Sequence, residues 1–466
     1  MRFTELQYGV LLVVAWLGFR ALRHHRWFGV AWLTALSLGF YGSFDPRYLL
    51  LLGAATVLDY GVGARIGATE DPVARKRWLA VSIVGNLGML GVFKYGDFVL
   101  QTLEAALSLV GVERTLPRLG LDLPIGISFY SFQTLSYSID VYRRRIEPAR
   151  SWLGFVWFVS FFPQLVAGPI VRASEMLPQL ARLPRPDPGA IGEGVALVLV
   201  GLFKKMVLGD TIGRSLVDPF YAVPSRYNAA EAWLADWASY FALYCDFSGY
   251  TDIAVGSALC LGFVLPQNFD RPAFAPSPAE HWRRWHMTLG TWLRDYLYFP
   301  LGGSRGGPLR QWRNLFLVFF VSGVWHGVGA SYVLMGLYNG VLAATWRLVR
   351  PEPGRGALRV VEGLVAFQLT ALSVMALRPI ELGRLREAVG ALVAFDRPAG
   401  GLGDPVAIGL LVGVILLHLS PRRWRTRLLV EARTASPALL ALAVVLVGGL
   451  CALYATEARD FYYFQF

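Results

Sequence analysis

Along the chain, apolar runs alternate with short basic or Pro/Gly-rich breaks from one end to the other. A bilayer's hydrocarbon core of roughly 30 Å takes about 17–25 residues of helix to cross. Stretches of that kind fall near 6–22, 28–44, 47–64, 79–95, 122–142, 191–208, 232–250, 251–265, 312–330, 331–349, 357–377, 404–420 and 436–455, and 251–265 is short for a crossing. The segment "WLGFVWFVSFFPQLVAGP" (152–169) carries internal proline and glycine. It predicts a broken or re-entrant element, tolerated only where other helices shield its backbone. The first run, "LQYGVLLVVAWLGF", has no clear small-residue cleavage site and reads as a retained helix. The pattern therefore predicts an all-α integral membrane protein, a bundle of about 11 transmembrane helices with re-entrant and interfacial elements. It reads as one polytopic domain, 1–466, whose motif-bearing core covers about 122–340.

Composition agrees with this pattern. Of the 466 residues 55% are hydrophobic and 16% charged, against roughly 25% charged in an ordinary soluble domain. The net charge of +12 is dispersed among inter-helix loops, with no separate basic domain to hold a duplex, which argues against nucleic acid. The Lys/Arg excess sits in "RALRHHR" (20–26), "RIGATEDPVARKRW" (65–78), "RRRIEPAR" (143–150), "RLVRPEPGRGALR" (347–359) and "PRRWRTRLLVEAR" (421–433). The positive-inside rule puts these loops in the cytoplasm and both termini outside. Lys204 and Lys205 fit this topology badly, since they fall near an outer helix end. Cys245, Cys260 and Cys451 lie in apolar stretches and are odd in number, which suggests buried thiols rather than a disulfide framework.

The chemistry-bearing residues stand out against this background. "FLVFFVSGVWHGVGASYVLMGLYNG" (316–340) sets His326 in a lipid-like stretch, where an ionisable group by default suggests function. On a helix starting near Leu315, His326 would lie about 16 Å along, close to the midplane. Ser322 and Ala330 would share its face, with Gly323, Gly327 and Gly329 beside it. Small neighbours leave room before the imidazole, and equally permit tight helix packing. "EHWRRWHMTLGTWLRDYLYFPLGG" (280–303), read as one helix from Pro278, puts Trp282, Trp285, Leu289, Leu293 and Tyr296 on one side. Arg284, Thr288, Thr291 and Asp295 fall on the other, and His286 at the edge of the apolar face. Such a helix suits a membrane interface or a cavity rim.

His286 and His326 each follow a tryptophan and form a plausible acid–base pair, because a buried neutral imidazole can accept a proton from a hydroxyl. A metal fits less well: zinc wants three or four ligands, and His281 lies off the face of His286 in a helix. No G-x-S-x-G elbow occurs. The loop "PLGGSRGG" (300–307), with Arg294, Arg305 and Arg310, can be a phosphate cradle for a donor or a plain turn. Asp246 and Asp252 in "YCDFSGYTDIAVG" (244–256) are costly at membrane depth unless paired, as are Gln133 and Asp140 in "PIGISFYSFQTLSYSIDVYRRR" (124–145). Both segments fit a polar cavity or interhelical hydrogen bonds.

Taken in order, "PIGISFYSFQTLSYSIDVYR", "FFPQLVAGPIVR", "DFSGYTDIAVG…LGFVLPQNFDRP", "HWRRWHMTLGTWLRDYLYFPLGG" and "SGVWHG" resemble the membrane-bound O-acyltransferases (MBOAT), in particular the bacterial branch that includes alginate O-acetyltransferase. The opening "FYGSFDPRYLLLL…LDYGVG" and the ending "FYYFQF" are similar to that branch as well. The resemblance implies helices around a central funnel or tunnel, with a donor entrance on the cytoplasmic side and an acceptor surface outside. It implies His326 as the core histidine and general base, with His286 at the family's second polar position. Trp325, Trp285, Ser322, Arg294, Asp295, Tyr296 and Asp246 are the candidate donor- and substrate-contacting residues. The donor substrate would be acetyl-CoA or an acyl-carrier thioester, with no bound cofactor and no metal. The implied acceptor is an exported polysaccharide, reached directly or through a periplasmic SGNH-type acyltransferase, at the bacterial inner membrane. Two other readings are carrier-dependent (amino)acyl transfer to teichoic acid or another envelope glycan, and a non-catalytic transporter or scaffold of an export machine.

Overall fold

The computed structural model describes residues 1–166, 168–349, 354–377, 381–454 and 461. The basic loop 347–359 and the ending 461–466 therefore lie partly outside the described residues. What is described is helical, without strands, and gathers into two compact units.

The first unit comprises Met1–Asp187 with Ser257–Leu265. Its helices Tyr48–Gly67, Pro72–Leu109 and Ile127–Tyr142 meet around Asp59, which is fully buried. Ser82 and Ser138 donate hydroxyls to one carboxylate oxygen, and Asn86 donates its amide to the other at 2.7 Å. Such cross-helix bonds hold helices together where no hydrophobic difference separates them from lipid. Arg75 then serves the helix ends, donating to the carbonyls of Ile66 (2.6 Å) and Tyr142 (2.9 Å), which have no partner within their own helices. Asp71 starts its helix as an N-cap ahead of Pro72, accepting from the amides of Val73 and Ala74.

The expected break within 152–169 is present: helix Trp152–Ser160 stops at Phe161, and Phe162–Leu165 follows. Backbone groups released there find side-chain partners. The Phe158 carbonyl accepts from the amides of Gln133 (2.9 Å) and Gln164 (2.6 Å), and the Phe162 N–H donates to Ser37 (3.1 Å). Gln133 is thus explained as a partner for irregular backbone.

The second unit comprises Pro188–Gly256 with Pro266–Phe466. Here the two spans expected at 232–250 and 251–265 are one helix of 32 residues, Ala229–Cys260, which belongs to this unit up to Gly256. Asp252 does not interrupt it, because Lys204 (2.6 Å) and Arg425 (3.3 Å) neutralise its carboxylate. The facing run from Pro188 to Ala222 widens into π-helical turns at Phe203–Gly209 and Gly213–Val217. Glycine lets the two approach: a Cβ on Gly201 would sit 2.5 Å from the Gly249 carbonyl oxygen. The basic stretch 421–433, expected as a loop, is a helix, Arg422–Thr434, set at 90° to Pro405–Leu419.

Among the described residues four helices are long and apolar enough to cross a membrane: Tyr48–Gly67, Pro72–Leu109, Ala357–Met375 and Pro437–Tyr454. A fifth results if the bent pair counts as one span. Length and composition therefore do not reproduce the expected eleven or so. Helices such as Ile127–Tyr142 bury most of their surface against protein, so polar residues can replace apolar ones there.

Candidate active site

The expected continuous helix from Pro278 is broken. Ser277 caps its start, accepting from the Glu280 N–H at 3.2 Å, but Pro278–Arg284 ends at Trp285 and a new helix runs Met287–Leu293. Between them His286 adopts a left-handed backbone, φ 43° and ψ 55°. The cause is tertiary. Residues Asn268–Asp270 lie across the gap and replace the lost helical bonds: the Asp270 N–H donates to the Arg284 carbonyl and the Met287 N–H to the Asn268 carbonyl, both at 2.9 Å. The periodicity of the stretch could not reveal a break imposed from elsewhere.

A left-handed conformation costs a residue with a Cβ about 1–2 kcal/mol, and strain of this kind collects at functional sites. Glycine at 286 escapes it, although it loses more freedom on folding. The His286→Gly variant is therefore expected to be more stable than His286→Ala by about 1 kcal/mol, measured as a higher melting temperature in detergent. An equal or lower value would mean that the surroundings impose no strain.

His286 is 2% exposed. Phe247 stands edge-on to its ring at 4.8 Å, and the Trp325 ring is 6.3 Å away. Trp325 in turn lies 4.9 Å from the His326 ring. The Trp325 ring thus neighbours both imidazoles singled out from sequence.

His326 sits differently from expectation. It is the last residue of helix Pro308–His326, and Gly327 continues in extended conformation, φ −171°. Ala330 opens the next helix, Ala330–Val349, so it shares no helical face with His326, whereas half-buried Ser322 lies one turn before it. The two helices form a tight hairpin: a Cβ on Gly323 would lie 2.7 Å from the Gly336 Cα, and one on Gly327 would strike the Tyr332 ring. The glycines around His326 thus bring the hairpin's arms together. His326 keeps 8% of its surface exposed.

The remaining candidates divide. Trp285 packs inward, stacked on His281 at 5.8 Å and edge-on to Phe269 at 5.2 Å. His281 places Nδ1 3.1 Å from the Pro272 carbonyl, a packing role. Asp295 and Tyr296 are buried in a π-helical turn, Arg294–Tyr298, with Tyr296 beside Trp292 (5.1 Å). Half-exposed Arg294 forms a 2.8 Å ion pair with its neighbour Asp295. Asp246 pairs with buried Lys205.

The loop 300–307 makes a poor phosphate cradle. The amides of Leu301, Gly302, Gly303 and Arg305 donate to carbonyls of residues 297–302, and Asn314 ties the Leu301 and Gly303 carbonyls from within. Among the described residues no three His, Cys, Asp or Glu converge on a point where a metal ion could sit.

Sequence reasoning missed Asn268. It is fully buried, and its Oδ1 lies 3.0 Å from His286 Nδ1. The signal was present: an amide in the apolar "LGFVLPQNFDRP" must be answering some buried partner.

Comparison with known proteins agrees with these motifs. Residues 124–351 match the model of the MBOAT, membrane-bound O-acyltransferase family. The chain is 35% identical to a probable alginate O-acetylase of Pseudomonas aeruginosa, across 90% of this chain and 80% of that one. It is 34% identical to a peptidoglycan O-acetyltransferase of Helicobacter pylori, across 74% and 70% respectively. A teichoic acid D-alanyltransferase of Bacillus subtilis is 27% identical across 47% of this chain and 57% of its own.

Proposed function

Since the chain belongs to the membrane-bound O-acyltransferase family and is thus an O-acyltransferase, we propose that it transfers an acetyl group from a cytoplasmic thioester, acetyl-CoA, for O-acetylation of an exported polysaccharide at the bacterial inner membrane. The observation that most supports this reading is the convergence of His286, Trp325 and His326 from two separate helical segments.

In the proposed reaction the acceptor hydroxyl oxygen attacks the thioester carbonyl carbon while its proton passes to His326. The tetrahedral intermediate then collapses, the C–S bond breaks, and the thiolate leaves with the proton from His326. His286 either orients the hydroxyl or donates to the developing oxyanion. The hydroxyl belongs to the glycan or to a periplasmic SGNH-type relay acyltransferase. Trp325 and Ser322 flank the reacting groups, while Arg294, Asp295 and Tyr296 line the approach of the donor.

Purified protein in nanodiscs, given labelled acetyl-CoA with and without glycan and periplasmic partner, is expected to release labelled product only when an acceptor is present. No transfer from acetyl-CoA under any combination would overturn the reading. The likeness to teichoic acid D-alanyltransferases favours one alternative, a thioester delivered on a carrier protein to another envelope glycan. Label moving from an acyl-carrier thioester but never from acetyl-CoA would establish it.

A further inference from the structure

We infer that Asn268 is a positioning residue that locks His286 as the Nδ1–H tautomer, so that His286 enters acyl transfer as a hydrogen-bond acceptor through Nε2 and not as an oxyanion donor. This rests on the proposed acyltransfer at His286 and His326, and it decides between the two roles left to His286 there.

The argument begins with a backbone amide, whose role is never ambiguous. The Thr288 N–H can only donate, and it points at the Asn268 side chain at 3.2 Å. The atom receiving it must therefore be the amide oxygen, which settles the orientation that an asparagine otherwise leaves open. The Thr288 hydroxyl donates to the same oxygen at 2.9 Å. His286 Nδ1 is the third group on that oxygen, at 3.0 Å. An amide oxygen only accepts, so Nδ1 must carry the hydrogen, and in the neutral ring the lone pair then lies at Nε2.

Two further features show that the arrangement is built in. The Asn268 main chain pairs with Met287 and the main chain of Asp270 with Arg284, so one segment holds the break, the left-handed residue and the ring. The amide also keeps this orientation although its fully buried Nδ2 then has no hydrogen-bond partner among the described residues. Turned over, it would set an NH₂ group against the Thr288 N–H, which is worse. Phe247, edge-on to the ring at 4.8 Å, hinders rotation of the imidazole.

A neutral His286 thus offers no hydrogen from Nε2, and the developing oxyanion must find its donors elsewhere. His286 instead accepts a hydrogen bond from the incoming acceptor, while His326 takes the proton. The logic is that of the buried carboxylate behind a catalytic histidine, with a neutral amide in its place.

The test is ¹⁵N NMR of protein labelled at its histidine rings and held in nanodiscs, combined with kinetics. The His286 signals are identified by their loss in His286→Gln. The native protein should show Nδ1 protonated and Nε2 unprotonated. Asn268→Leu should let the other tautomer appear and slow transfer roughly 10–100-fold, the scale known for losing the group that orients a metal-bound histidine, with KM for the donor unchanged. Asn268→Asp should keep the tautomer, since a carboxylate also accepts from Nδ1–H. Its negative charge favours the imidazolium, so the acid limb of the pH–rate profile should move to higher pH. His326, on the far side of the Trp325 ring, is a titratable neighbour present in every variant. Native protein with a protonated Nε2, or Asn268→Leu with an unchanged tautomer, would overturn the lock. Should Asn268→Leu fail to fold, the native spectrum and the Asn268→Asp profile still decide. A fully active His286→Gln with the native tautomer as inferred would instead overturn the part of His286 in transfer, leaving the lock standing.

Discussion

His326→Ala is expected to abolish measurable acetyl transfer, with a loss on the order of 10²–10⁴-fold for a general base, while the protein still inserts and folds. The reasons are local. His326 terminates its helix, so its side chain supports no following turn, and the hairpin is held by Gly323 against Gly336, outside the mutated position. Trp325, 6% exposed, anchors the helix end. The loss should therefore appear in kcat, with KM for the donor little changed, as when an interaction made chiefly in the transition state is removed. Label transfer from acetyl-CoA in nanodiscs, beside a melting curve for each variant, separates chemistry from folding. An active and stable His326→Ala enzyme would remove the base assignment altogether.

How much of this site the sequence discloses depends on where each cause lies. His286 and His326 were legible because an ionisable group in an apolar stretch is conspicuous by itself. The break at Phe161 was legible because Pro163 lies within it. The break at His286 was not, since no proline or glycine marks it and the bonds that sustain it come from Asn268 and Asp270, sixteen or more residues upstream. The shared face expected for His326 and Ala330 failed for a related reason: it extended a helix through Gly327, where the chain leaves helical conformation to turn back on itself. Helix length and composition among the described residues do not confirm the span count, because helices walled in by protein need not be apolar. Ile127–Tyr142, with Ser131, Gln133, Ser138 and Asp140 buried, is such a helix. Lys204 and Lys205 were conspicuous as misfits to the positive-inside pattern, and their partners Asp252 and Asp246 lay in a segment read separately.

Those two lysines carry the second large expectation. Lys205→Met should destabilise the protein by about 3–5 kcal/mol, the usual result of removing one member of a buried ion pair. Lys205 is 1% exposed, and its ammonium meets Asp210 at 2.7 Å and also Asp246, so the variant would leave two inward-facing carboxylates without their shared cation. Lys204→Met should cost less. Its side chain is 22% exposed, and its partner Asp252 keeps Arg425 at 3.3 Å. A combined Lys205→Met, Asp210→Asn, Asp246→Asn variant should recover much of the loss, because the three members of the cluster are then all uncharged. Thermal unfolding in detergent gives the order: native, then Lys204→Met and the triple variant, and Lys205→Met last. The cluster also bears on the proposed site. Asp246 directly precedes Phe247, the ring against His286, so the ion pair braces the helical turn that carries that ring, although from a different face. The triple variant, though folded, should therefore transfer acetyl more slowly than its melting temperature alone would suggest. Native activity in it would mean that Phe247 keeps its place without the charges.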